Sequence, residues 1–131
     1  MLIDTNVLLD VLTDDPRWLA WSLHQLGAAA LAGPLFINDI VYAELSVGFS
    51  TLERTDAAVV QAGVELVPIP RAALFLAGKV FRSYRSAGGS RSGVLPDFFI
   101  GAHASVLGIP LLTRDPRRYR TYFPRLQLVT P

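Results

Sequence analysis

Four carboxylates stand out for where they sit. Asp4 ends the apolar opening MLID, Glu44 lies within IVYAELSV, Asp97 opens DFFIGAHASVLG directly after Pro96, and Asp115 ends PLLTRD directly before Pro116. Taken singly, each has an ordinary structural job. Aspartate at a strand end or helix start is a good N-cap, which covers Asp4, Asp97 and Asp115. Glu44 could lie at a helix edge and face water. Its helical neighbours Ile40, Val41, Val47 and Gly48 argue instead for partial burial, and a buried charge needs a partner or a metal. Taken together the four are harder to dismiss. In a parallel sheet, strand ends and the starts of the following helices share one edge, where all four would collect. Carboxylates so gathered repel unless a cation sits among them. Hard oxygen donors with room for water select Mg²⁺ or Mn²⁺, and such an ion can activate water and neutralise a phosphodiester in its transition state.

The charge distribution suits that chemistry. Net charge is only +1, but residues 1–66 carry nine acids and two bases, whereas residues 67–131 carry ten bases, nine of them arginine, and only two acids, Asp97 and Asp115. An arginine-rich half suits bidentate phosphate contacts, although interleaving of the halves in the fold would even the charge out. The absence of cysteine excludes disulfide scaffolds, thiolate zinc sites and cysteine nucleophiles. No stretch reaches the roughly 18 apolar residues of a membrane span, and the N-terminus lacks a basic-then-apolar signal pattern. The chain reads as a soluble cytoplasmic protein, with residues 1–131 forming one domain.

The elements that must position the acids follow from the pattern. LID reads as a short buried strand, NVLLDVL as a helix to about Thr13, and DDPRW as a turn with Asp15 as N-cap and Pro16 at the first helical position. WLAWSLHQLGAAALA is a helix stopping near Gly33-Pro34, and LFIN a second strand. Asn38 or Asp39 caps the helix DIVYAELSVGF. TLERTDAAVVQAG is helical, VELVPIP a third strand closed by prolines, and RAALFLAGKVFRSYRSAG a long helix. GGSRSGVLP is a flexible loop, DFFIGAHASVLG a buried helix and PLLTRD a fourth strand. PRRYRTYFP is a basic turn or short helix, and LQLVTP a last strand. Short apolar strands alternating with helices belong to a parallel sheet covered on both faces.

Lesser signals surround the acids. Arg91 and Ser92 precede Asp97, and Arg114, Arg117, Arg118 and Arg120 form a basic cluster beside Asp115, either a solvated face or a phosphate-binding one. His103, six residues into the Asp97 helix, points away from Asp97 at ~100° per residue and reads as a packed or surface histidine. His24 has no acidic or serine partner in view. Trp18 and Trp21 read as core or interface.

The segments MLIDTNVLLD, YAEL, RSGVLPDFFIGAHA and GIPLLTRDPRRYRTYFPRL resemble the PIN-domain nucleases, and among them the VapC-type ribonuclease toxins of bacterial toxin–antitoxin pairs. The resemblance covers nearly the whole chain except about Gly48 to Glu65, where no motif matches. It implies a PIN-like three-layer α/β/α fold with a central, mostly parallel sheet of four to five strands. It implies a Mg²⁺- or Mn²⁺-dependent endoribonuclease, a homodimer, and a VapB-like antitoxin whose tail covers the active site. The family's acids map onto Asp4, Glu44, Asp97 and Asp115, and its polar residues near the metal onto Thr5, Asn6 and Thr113. Asp4, Asp97 and Asp115 would hold the ion, with Glu44 completing the site as a ligand or by orienting the attacking water. Arg91, Ser92, Arg114, Arg117 and Arg118 are the candidate RNA contacts. Two other readings stand beside this one. One is a phosphohydrolase with Asp4 as nucleophile, weakened by asparagine at position 6, where such chemistry usually wants a second acid. The other is a non-catalytic module binding RNA or protein through its arginines.

Overall fold

The computed structural model describes residues 1–131. It places β1 (Leu2–Ile3), α1 (Thr5–Leu12), α2 (Leu19–Ala32), β2 (Leu35–Ile37), α3 (Asp39–Ser46), α4 (Leu52–Gln61) and β3 (Val64–Leu66) in the first half. The second half contains α5 (Arg71–Ser86), α6 (Leu95–Leu107), β4 (Leu111–Leu112), α7 (Arg117–Tyr122) and β5 (Leu128–Val129). The five strands form one sheet in the order β3-β2-β1-β4-β5. Every pairing is parallel, with Leu2 opposite both Phe36 and Leu111. Successive strand residues point to opposite faces. Leu2 and Ile3, like Leu111 and Leu112, are all 0% exposed, so helices must cover both faces, and the fold is a three-layer α/β/α.

The chain runs outward from β1 through β2 to β3, then returns past β1 to β4 and β5. That reversal makes the crevice between the carboxyl ends of β1 and β4 the topological switch point, where open α/β sheets bind ligands. Backbone hydrogen bonds extend the pairing to the residues that matter there. Asp4 donates its N–H to Leu112 (2.9 Å) and Thr113 donates its N–H to Val129 (3.1 Å).

Several boundaries differ from the sequence reading. VELVPIP pairs as a strand only over Val64–Leu66, because Pro68 and Pro70 have no N–H to give to a ladder. Asp15 receives the N–H groups of Arg17 and Trp18 (2.9 and 2.8 Å), but it caps a turn ahead of α2, which starts at Leu19. Helix α6 begins at Leu95, with Val94 in the cap position. Asp97 is therefore not an N-cap. Proline is tolerated in the first helical turn, where its missing N–H has no intrahelical partner to lose, so Pro96 sits inside the helix rather than in front of it. Asn38 caps α3, receiving the N–H groups of Ile40 and Val41 (both 3.1 Å).

Packing between α6 and α7 is close. A methyl group at Gly101 would lie 2.4 Å from the Phe123 ring, so only glycine lets α7 approach. Around this contact Phe81, Tyr84, Phe98, Tyr122 and Phe123 form an aromatic cluster, with the Phe98 and Tyr122 ring centres 4.9 Å apart. His103 is 1% exposed, with its Nδ1 3.2 Å from Asn38 Nδ2. Because Asn38 Oδ1 is spent on the α3 cap, its amide donates and His103 Nδ1 accepts. Burial lowers the imidazole pKa, and the ring is a neutral core group.

Candidate active site

Asp4, Thr5, Asn6, Leu9, Glu44, Asp97, Arg114 and Asp115 line one cleft of about 320 Å³ at the switch point. Five elements build it. Asp4 leaves β1, Thr5 and Asn6 open α1, Glu44 comes from α3, Asp97 from the first turn of α6, and Thr113 to Asp115 follow β4.

Asp4 is the most constrained. It is 5% exposed and caps α1, its Oδ1 receiving the Thr5 N–H at 2.8 Å. Its Oδ2 receives the Thr113 hydroxyl (2.7 Å), the Tyr119 hydroxyl (3.0 Å) and, more distantly, the Asn6 amide (3.4 Å). Burial raises its pKa to about 6, and Asp97 adds to the rise, against the lowering effect of the Thr113, Tyr119 and Thr5 hydrogen bonds. Tyr119 is driven well above the usual phenol range, first by its own burial and then by the charges of Asp4 and Asp97. It therefore stays protonated and donates.

The other three acids are held differently. Glu44 lies on the exposed side of α3, contrary to the partial burial expected from its neighbours. Val41 and Leu45 occupy the buried stripe, and Glu44 reaches back to receive the Thr5 hydroxyl at 2.7 Å. Asp97 pairs with Arg118 Nη1 at 2.6 Å. Asp115 accepts Nε and Nη2 of Arg117, both at 2.9 Å, and that hydrogen bonding lowers its pKa. In this arrangement no three of the acids close on one point.

The donor set nonetheless fits a hard divalent ion. Four carboxylates share one small polar cleft with two hydroxyls and an amide beside them, and no sulfur or imidazole ligand is near. Asn6 ties the two strand ends together. Its amide donates to Thr113 Oγ1 (3.3 Å) and its Oδ1 receives the Arg114 N–H (3.3 Å). The basic cluster around Asp115 is divided. Arg117 and Arg118 are spent on acids, Arg120 is exposed, and Arg114 lines the cleft with its Nε paired to Asp10. Arg91 and Ser92 lie on an exposed loop outside the cleft lining. Tyr119 escaped the sequence reading, which saw only a basic run around it. Its signal was the apolar spacing Tyr119, Tyr122, Phe123 within that run, one face of a short helix. Asp10 was missed too, having only a place in an amphipathic helix to mark it.

A family model described as PIN domain matches residues 1–124. No curated protein matches the sequence. Among solved structures, the VapBC2 complex of Rickettsia felis, bound to a DNA fragment from its promoter, aligns over 99% of this chain and 97% of its own, with TM-score 0.76 and 19% identity. The VapBC-1 structure of nontypeable Haemophilus influenzae aligns over 98% and 96%, with TM-score 0.70 and 19% identity. A toxin–antitoxin complex of Klebsiella pneumoniae aligns over 99% and 96%, with TM-score 0.65 and 23% identity.

Proposed function

This chain belongs to the PIN domain family, and from that premise we propose that it is a metal-dependent endoribonuclease of the VapC toxin type, held in check by a cognate antitoxin. The observation that carries the reading is the meeting of Asp4, Glu44, Asp97 and Asp115 in one cleft at the switch point of the sheet. Such a cluster has no structural purpose that four separate caps would not serve better.

In this reading Asp4, Asp97 and Asp115 hold Mg²⁺ or Mn²⁺, and Glu44 completes the site. The ion, when bound, polarises the scissile phosphate and makes water nucleophilic at neutral pH. The chain's own residues set the stage. Thr113 and Tyr119 fix the rotamer of Asp4 by donating their hydroxyls to it, and burial with the nearby carboxylate charges keeps the proton at Tyr119 Oη. Thr5 bridges Asp4 and Glu44, through its N–H to one and its hydroxyl to the other. Arg117 and Arg118 neutralise Asp115 and Asp97 in the ion-free chain and compete with the ion for them. The Asp4-nucleophile alternative gains nothing from the geometry, since both Asp4 oxygens already accept hydrogen bonds.

The antitoxin part of the proposal rests on the toxin–antitoxin neighbours and on one surface. An apolar groove of about 490 Å³ runs between α1, α2 and α4, lined by Leu8, Leu12, Leu23, Leu26 and Leu35 among others, with Leu23 56% exposed. A partner's apolar helix would cover it. RNA as substrate, and a homodimer, are further parts of the same proposal.

The test is cleavage of a total bacterial RNA pool by the purified chain free of antitoxin, in Mg²⁺ or Mn²⁺, in EDTA, and with Asp97→Asn. Discrete cuts that need metal and vanish in the variant are expected. No cuts from folded chain that binds Mn²⁺ would sink the nuclease reading and leave a binding module.

A further inference from the structure

Asp10 is 1% exposed and Ser22 0% exposed, deep in the contact between α1 and α2 and outside the set of acids described above. Ser22 donates its hydroxyl to Asp10 Oδ2 at 2.7 Å. The partner of this buried carboxylate is Arg114, whose Nε lies 3.0 and 2.9 Å from the two oxygens. The manner of pairing is informative. Arginine in a purely structural ion pair commonly offers a two-nitrogen fork, as Arg117 does to Asp115. Arg114 spends only Nε. Neither terminal nitrogen has a hydrogen-bond partner in the chain, although the side chain is only 31% exposed. The guanidinium also stands 5.7 Å from the centre of the Trp18 ring, and its backbone N–H is tied to Asn6. Four N–H donors are thus left over on a planar group held by Asp10 and Trp18, on a residue that lines the acidic cleft.

We infer that Arg114 is a preset phosphate ligand for the RNA strand, and that Asp10, Ser22 and Trp18 are positioning residues that aim it. The inference rests on the nuclease reading and deepens it. A guanidinium free to move beside the acidic cleft would fold onto one of its carboxylates. The buried anchor at Asp10 prevents this and keeps the donors for a phosphodiester. Arg117 and Arg118 have no comparable anchor, with side chains 86% and 40% exposed.

The test follows binding of a fluorescein-labelled RNA of randomised sequence to the full chain by anisotropy. It is run in Ca²⁺ over a salt series, with the probe checked intact on a gel. Arg114→Ala should weaken binding roughly tenfold and lower the log–log salt slope by about one, as one lost phosphate contact would. The discriminating variant is Asp10→Asn. It makes the chain more positive, so an arginine acting by charge alone would bind RNA equally well or better. Loss of an aiming anchor should instead weaken binding several-fold. Ser22→Ala and Trp18→Leu keep every charge and should weaken it in the same sense by a smaller factor. They carry the test if the Asp10→Asn melting curve shows an unfolded chain. Mn²⁺ affinity, by calorimetry, should not fall with Arg114→Ala, whereas Asp10→Asn, which frees the guanidinium to settle on a cleft carboxylate, should lower it a few-fold. Unchanged binding with Arg114→Ala overturns the inference, as does equal or tighter binding with Asp10→Asn while Ser22→Ala and Trp18→Leu are silent. A folded wild-type chain that binds no probe overturns the nuclease reading itself, and the inference with it.

Discussion

The two sides of the acidic cleft are built on different principles. On the β1 side, Asp4 is buried and fixed by the Thr5 N–H and the hydroxyls of Thr113 and Tyr119. Its position is a product of the fold. On the far side, Asp97 and Asp115 are half-buried or exposed, and each is steadied by a single arginine from α7. Exposed ion pairs are screened and contribute little, so these two carboxylates can turn at small cost. One wall is a fixed point and the other is adjustable. A site of this kind registers a ligand on its rigid side and adapts on its loose side.

The strongest way to break the comparison is to remove the fixed point. Asp4→Asn should reduce metal-dependent RNA cleavage roughly a thousandfold, in line with the several kcal/mol of charge stabilisation a bound ion supplies. Circular dichroism should report an unchanged fold. Loss of less than about tenfold would mean that Asp4 is a cap and no more.

The next effect is on stability and tests how tightly the fixed side is buried. In the ion-free chain Asp4 titrates near 6 instead of at its ordinary 3.8. The folded state therefore binds the proton more tightly than the unfolded one. The resulting stabilisation is complete below about 3.8 and is lost as pH rises through about 6, a swing of up to about 3 kcal/mol. Urea denaturation in EDTA should show wild type losing ground to Asp4→Asn across that window. Parallel curves would contradict the burial.

A smaller change separates the supports from the ligand. Tyr119→Phe should cost about 1 kcal/mol of stability and weaken Mn²⁺ binding about 10- to 100-fold, the usual penalty for removing a group that orients a ligand. Calorimetry measures it. The smallest effect belongs to the loose side. Arg118→Ala should change stability by less than about 1 kcal/mol while tightening Mn²⁺ binding a few-fold, since it removes the competitor for Asp97. Weaker binding would show that Arg118 supports the site rather than masking it.

How far the sequence disclosed this site depended on whether each residue's role was local. Asp4 is legible because an apolar strand and a capped helix meet at it within a few residues, and Asp97 and Asp115 because a base-rich half keeps only those two acids. Leu2, Ile3, Leu111 and Leu112 announced buried parallel strands by being uniformly apolar. Glu44 was misjudged. Its immediate neighbours suggested burial, but exposure depends on what packs against α3, and the buried stripe runs through Val41 and Leu45. Tyr119 with Asp4, and Asp10 with Arg114, are pairs more than one hundred positions apart. No pattern within one element encodes such a pairing, because it exists only once β4 lies beside β1. The start of α6 was misplaced for a smaller reason: proline before aspartate resembles a boundary, and the first helical turn accepts it.

The central place of β1 in the strand order has one more consequence, for the time at which the cleft can exist. Asp4 ends β1, but the neighbour on one side of that strand is Leu111–Leu112, more than one hundred positions further along the chain, and Tyr119 follows later still. Pairing so far apart in the chain is slow to form, because the loop must close before any contact rewards it. A fragment broken ahead of Leu111 would hold β1 with an open flank, lacking Thr113, Asp115 and Tyr119 altogether. The cleft is thus among the last features of the fold to assemble. A chain cut between α6 and β4 keeps the first carboxylate and has lost the strand and hydroxyls that would hold it in place.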